Sequence, residues 1–313
     1  MAATDPRWID LVDPDERELR EHLPQDLYAS AVRTLTARHD PENEPRPRIV
    51  SHGAYILGIF LVPVAVPDED RVYYQEVDFV ATREKLVSIS KTPPDETAFD
   101  PKPAKEACRP DDRVGMFVAH LIENIAERYL DLVDDLDDEI DELEDKVGSS
   151  PTKEVGRRLR ELRRDLREIR RTLTPTRDAV HKVLDGRIEL DDEHDHDHDD
   201  VEDLFPRDVE IAFGDAYDKL LRATEALESS RDSLAGVRDY LQGTIANDQN
   251  EVVKRLTVIA SLLLVPTFIV GLYGQNFRHM PELHWAWGYW WSWGLIIVTT
   301  LAQLAFFRWK RWI

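Results

Sequence analysis

Cysteine is almost missing from this chain: Cys108 is the only one in 313 residues. A single thiol excludes an intrachain disulfide framework and a cysteine-based zinc cluster, and it suits a reducing compartment. Taken alone, Cys108 reads as an inert small side chain. Positive charge is also in short supply, with 40 Lys and Arg against 62 Asp and Glu and a formal net charge of -22. Such a balance repels phosphate backbones and attracts cations, so nucleic acid is a poor partner and metal ions are good ones. The opening "MAATDPRWIDLVDPDERELREHL" lacks the basic and apolar regions of a secretory leader, and the N-terminus is expected in the cytosol. No phosphate-cradling glycine loop, nucleophile-base pairing or ordered metal-ligand spacing stands out, which argues against an enzyme.

The chain does have two long apolar runs, both near the C-terminus. Leu256 to Tyr273 and Tyr289 to Phe307 carry no charge over 18 and 19 residues. At about 1.5 Å per residue, either crosses a hydrocarbon layer of roughly 30 Å. Lys254 and Arg255 precede the first run, and Arg308, Lys310 and Arg311 follow the second. This places both ends on the cytoplasmic side of a plasma membrane, with lipid around a two-span segment at 251–313. Trp285, Trp287, Trp290, Trp291 and Trp293 mark the outer boundary, and Trp309 and Trp312 the inner one.

Residues 1–110 read as a cytosolic α+β domain. "RIVSHGAYILGIFLVPV" and "VYYQEVDFVATREKLVSIS" have the Val, Ile, Tyr and Phe content of strands, and residues 13–35 have helical spacing broken at Pro24. "TPPDETAFDPKPAKEACRPDD" reads as a Pro-rich linker. Residues 111–250 form a helical hairpin and stalk. One apolar seam runs from Tyr129 to Val147, "GSSP" interrupts it, and it resumes from Val155 to Leu173, predicting two antiparallel helices. The first arm is acidic, with ten acids and one base between Asp131 and Lys146. The second is basic, with eight arginines and three acids between Arg157 and Arg171. These runs are either complementary arms or solvated faces, and the acidic one also offers oxygen to divalent cations. At 185–203, "DGRIELDDEHDHDHDDVED" is too polar to bury, and is either a solvated acidic loop or a Zn2+, Ni2+ or Co2+ site using His194, His196 and His198. Beyond Pro206, Leu220, Leu227, Leu234 and Leu241 keep heptad spacing, predicting one helix of about 65 residues that continues into the first span.

On that helix Asp239, Ala246, Asn250, Val253, Thr257, Ala260, Leu264, Thr267, Gly271 and Gly274 recur at steps of three, four and seven, and so share one side. The side is small and partly polar. It serves either tight packing between helices or a water path between several copies, and periodicity leaves both open.

The segment "NEVVKRLTVIASLLLVPTFIVGLYGQNFRHMPELHWAWGYWW", the opening "WIDLVDP", the acidic-then-basic hairpin and the basic "RWKRWI" end together resemble the CorA family of divalent-metal transporters. That family has a Tyr-Gly-Met-Asn-Phe signature followed by a Met-Pro-Glu-Leu loop. The resemblance implies a funnel-shaped homopentamer whose first membrane helices line a Mg2+ pore, with Co2+ or Ni2+ also carried. It implies a selectivity filter at Gly274, Gln275 and Asn276, with Asn250 near the inner mouth and Glu282 in a cation-attracting outer loop. Regulatory Mg2+ is implied at Asp215 and Asp218, facing an N-terminal acid for which Asp95 and Asp100 are both candidates; Asp239, further along the same helix, is a third regulatory-metal candidate. One departure is Gln275, where the family has Met. This raises a Zn2+ transporter of the ZntB type as an alternative, and a non-conducting membrane-anchored coiled-coil scaffold stands as an alternative of another class.

Overall fold

The computed structural model describes residues 5–24, 27–66, 71–190, 203–275, 280 and 285–312. Five strands open the chain: β1 (Trp8–Val12), β2 (Arg48–Ser51), β3 (Ile56–Val66), β4 (Arg71–Ala81) and β5 (Leu86–Lys91). They form one sheet in the order β1-β5-β4-β3-β2, antiparallel throughout except where β1 runs parallel to β5. β3 and β5 are buried on both faces, as near-continuous apolar strands are when both sides of a sheet are covered. One face packs on α1 (Glu16–His22) and α2 (Ala29–Thr36) through Leu11, Leu19, Leu35, Leu57, Val80 and Ile89. Asp15 starts α1 as an N-cap, its carboxylate accepting from the Glu18 amide at 2.8 Å.

The opposite face meets α4 (Val114–Lys146). Trp8 stacks on Phe117 with ring centroids 5.8 Å apart and donates to Ser88 Oγ at 2.8 Å, while Tyr129 of α4 donates to the Leu61 carbonyl at 2.8 Å. Gly58 lies directly opposite Phe79, and a Cβ there would come within 2.1 Å of the Phe79 ring. Glycine lets the aromatic lie flat across the strand. Between sheet and α4, the segment read from sequence as linker contains α3 (Lys102–Ala107), which starts after Pro101 and holds Pro103 in its first turn, where a missing N–H breaks no helical bond. The strand β1 was likewise not legible as a strand.

α4 and α5 (Thr152–Leu184) are the two arms expected from the seam, broken at 147–151. Leu136, Ile140, Leu143, Leu162, Leu166 and Ile169 are all buried, each contributing about 1.5–3 kcal/mol. The acids of the first arm are mostly exposed, and within the second arm several arginines pair with acids of their own helix, such as Arg157 with Glu161 and Arg164 with Glu168. Arg158 reaches across to Glu139. Apolar packing therefore joins the arms, and most of the acidic run is a solvated face. α6 (Arg207–Tyr273) is a single helix of 67 residues whose Leu220, Leu227 and Leu234 are buried, and α7 (Gly288–Trp309) closes the chain. The chain divides into two compact units, Met1–Arg238 and Asp239–Ile313, with α6 running through both.

Candidate functional site

In the second unit α6 and α7 each contain a stretch long and apolar enough to cross a membrane, of which only 11% and 6% is buried within the chain. A core helix of a soluble protein would be mostly covered. The side of α6 that α7 covers is marked by Val258 and Ile269, each 6% exposed, and by a hydrogen bond from Gln303 Nε2 to the Ser261 carbonyl at 3.1 Å. At about 100° per residue, a side centred roughly 120° round the helix from these carries Asn250, Val253, Thr257, Ala260, Leu264, Thr267 and Gly271, and every one of these is exposed, Val253 by 59% and Leu264 by 69%. A flank of large apolar residues, Leu256, Ile259, Leu263 and Val270, separates the two on one side. The helix thus has an α7-facing side, a side suited to lipid, and a small, partly polar side with no cover among the described residues.

The hydroxyls on that third side have a set polarity. Thr257 donates to the Val253 carbonyl at 2.8 Å and Thr267 to the Leu263 carbonyl at 2.6 Å. With the proton committed to the helix, each hydroxyl oxygen is left as an acceptor, the polarity a hydrated cation needs. At the end of α6 the Gly274 amide donates to the Val270 carbonyl at 2.8 Å, and a Cβ on Gly274 would lie 3.0 Å from that oxygen. The glycine therefore lets the last turn close tightly before Gln275, which is exposed. Asn276 and Glu282 lie outside the described residues, as do His194, His196 and His198. Asp215 and Asp218 are exposed on α6, Asp239 is exposed further along it, and Asp95 and Asp100 are exposed in the segment after β5.

A family model described as CorA-like Mg2+ transporter protein matches residues 4–311. The chain belongs to that family. Among curated CorA relatives it is 36% identical over 114 residues to the cobalt/magnesium transport protein CorA of Thermotoga maritima, covering 36% of this chain and 32% of that protein. It is 38% identical over 106 residues to the putative metal ion transporter YfjQ of Bacillus subtilis, covering 34% and 33%. These alignments span about a third of each curated relative's length. The fold is that of the complete CorA magnesium transporter from Methanocaldococcus jannaschii, with a TM-score of 0.75 at 21% identity over 100% of this chain and 94% of that one. The ZntB cytoplasmic domain from Vibrio parahaemolyticus also resembles it, with a TM-score of 0.54 at 16% identity over 79% and 91%.

Two further clusters in this CorA-like chain were missed in the sequence. In the sheet, Lys91 is buried with its Nζ 2.5 Å from Glu76 Oε1, 2.8 Å from Asp78 Oδ2 and 2.8 Å from the Thr34 carbonyl. His39 Nδ1 lies 3.5 Å from Glu76 Oε2. The Lys91–Asp78 contact is close but poorly aligned, and neither Asp78 oxygen makes a well-formed hydrogen bond among the described residues. Burial pushes Asp78 up to about 7 despite the Lys91 charge. Burial works to lower Lys91, but the Asp78 and Glu76 charges outweigh it and hold the amine above its ordinary value. Sequence did offer a signal, since Glu76 and Asp78 are two apart in a strand and must share a face.

The second cluster brings Cys108, Asp112 and His120 together, with one ligand atom of each within 4.8 Å of the others. Burial, then the charges of Asp112 and Asp5, push the Cys108 thiol up to about 12, so it is no ready nucleophile. The sequence showed no ordered metal-ligand spacing here because the three come from the end of α3, a turn and the second turn of α4, and only the fold makes them neighbours.

Proposed function

We propose that this chain is the subunit of a homopentameric channel for Mg2+, also passing Co2+ or Ni2+, in the plasma membrane, with both termini cytoplasmic. The reading rests on the small, acceptor-lined side of α6 that α7 leaves exposed among the described residues. Two helices cannot enclose a water path, whereas several copies of that side around an axis can. Mg2+ sheds its water reluctantly and prefers oxygen. Oxygens of Gly274, Gln275 and Asn276 at the outer mouth would hold it through its hydration shell, with Glu282 drawing cations in, and the Thr257 and Thr267 hydroxyls and Asn250 would follow along a path narrowed by Val253 and Leu264.

Charge supplies the gate. Five chains of -22 repel one another, so intracellular Mg2+ bridging Asp215, Asp218 or Asp239 to a neighbouring copy would hold the ring closed, and its loss would loosen it. Gln275 favours one second reading, transport of Zn2+ in preference to Mg2+, because its amide changes the donors at the mouth. The test is flux into proteoliposomes with a panel of dications. Asn276→Ala and Thr267→Leu should abolish uptake with assembly intact, while Ile259→Leu on the apolar flank should leave it unchanged. Wild-type flux through both Asn276→Ala and Thr267→Leu removes the pore assignment, and a preference for Zn2+ over Mg2+ selects the second reading.

A further inference from the structure

We propose that Cys108, Asp112 and His120 form a binding site for a borderline dication such as Zn2+ or Co2+, in the first unit and separate from the transport path. The proposal does not depend on the transport reading. The three ligand atoms already lie within 4.8 Å of one another, and all three residues are half-buried, so an ion can reach them from solvent.

The backbone fixes two of the three. The Cys108 amide donates to the Lys105 carbonyl at 3.2 Å as α3 ends. A turn follows in which the Arg109 amide donates to Asp112 Oδ2 at 2.7 Å and the Asp112 amide to the Arg109 carbonyl at 3.1 Å. His120 comes to the same place from α4, with Nε2 3.8 Å from Asp112 Oδ2. Its Nδ1 is shut off from solvent, has no hydrogen-bond partner among the described residues, and faces Glu123 Oε2 at 3.6 Å. Glu123 is in turn anchored by Lys219 Nζ of α6 at 3.0 Å. An imidazole with one nitrogen toward a ligand cluster and the other toward an anchored carboxylate is the arrangement by which proteins orient a metal-binding histidine. An ion on Nε2 would keep the imidazole proton on Nδ1, the nitrogen that faces the Glu123 carboxylate.

The donor set decides the class of ion. One sulfur, one imidazole and one carboxylate suit Zn2+ and Co2+ in a site with an open fourth position, whereas Mg2+ wants an octahedron of oxygens. On binding, the S–H bond breaks, a sulfur–metal bond forms and one proton leaves to solvent. The Lys105 ammonium opposes the ion, and Asp10 and Asp100, which interact with that ammonium, offset it.

Because Cys108 is the only thiol in the chain, a spectrum can assign the site. Chelator-treated full-length protein in detergent, reduced with a phosphine, is titrated with Co2+ alone. The expected result is a near-ultraviolet thiolate-to-cobalt charge-transfer band that saturates at one ion per chain and persists in a large excess of Mg2+. The acidic histidine loop has no sulfur and cannot give that band. Cys108→Ser should lose it, and His120→Gln and Glu123→Gln should weaken Co2+ affinity by about 10–100-fold with the circular dichroism spectrum unchanged. Absence of the band in the wild type, its loss to Mg2+, or an unaltered affinity in His120→Gln overturns the proposal.

Discussion

Replacing Lys91 with methionine removes the ammonium from a buried cluster and leaves the rest of the sheet in place. Lys91 is 2% exposed and its ammonium contacts Glu76 at 2.5 Å and Asp78 at 2.8 Å, so the variant strands two carboxylates in the core. Breaking a buried pair in this way costs about 3–5 kcal/mol. The cost should depend on pH, and its sign follows from Asp78. That carboxyl is held near 7 in the fold against 3.8 when unfolded. A group raised in the folded state favours folding fully below its unfolded value, and that contribution is lost as pH rises through the folded one. Without Lys91, the native cluster binds protons still more readily in this range. If the variant's native state holds one more proton than its unfolded chain between pH 8 and pH 6, it gains about 2.7 kcal/mol over those two units, against about 1.4 kcal/mol for a wild-type Asp78 that titrates at about 7, so the cost of the variant shrinks by about 1.4 kcal/mol. Hydrogen exchange of β4 and β5 peptides in the full-length protein at pH 6 and pH 8 measures local opening free energy directly. The reasoning is refuted if Lys91→Met exchanges like the wild type, or if its deficit is the same at both pH values.

Other consequences are as specific. Gly115 of α4 sits against the Leu204 carbonyl, and a Cβ there would lie 2.0 Å from that oxygen; Gly115→Ala should destabilise the first unit by about 1–3 kcal/mol, read as a lowered melting temperature. Gln275→Met should change the relative preference for Mg2+, Co2+ and Zn2+ in competition flux, and an unchanged profile would separate this side chain from selectivity. Asp215→Asn should weaken inhibition of the current by intracellular Mg2+ by several-fold, and unaltered inhibition would remove Asp215 from the regulatory set.

How much of this could be read from residues alone differs between the units. The seam from Tyr129 to Leu173 and the leucines from 220 to 241 carry a helical period long enough to locate α4, α5 and α6 closely, because burial along a long helix repeats the same demand many times. β1 and α3 were not legible, since five and six residues are too few to establish a period and the prolines of 92–112 suggested linker. The charge of the hairpin arms left open whether they hold each other by ion pairs or are solvated faces. The fold decides for solvated faces and gives the joining of the arms to the apolar seam, because exposed pairs contribute little and arginines are satisfied as well within their own helix.

The stripe on α6 illustrates the division most clearly. Its spacing alone placed Asn250 to Gly271 on one side of a helix, since residues three and four apart must align once the backbone is helical. Which side α7 covers was not in that spacing: α7 joins α6 through Val258, Ser261 and Ile269, and only this packing leaves the stripe bare. The same holds for the two clusters. Lys91 and Glu76 are fifteen residues apart and meet because β4 and β5 pair in a particular register, and Cys108 meets His120 because α3 folds back onto the start of α4. Local periodicity is a property of the chain and is written in it, whereas proximity between distant side chains arises only once the apolar faces have chosen their partners.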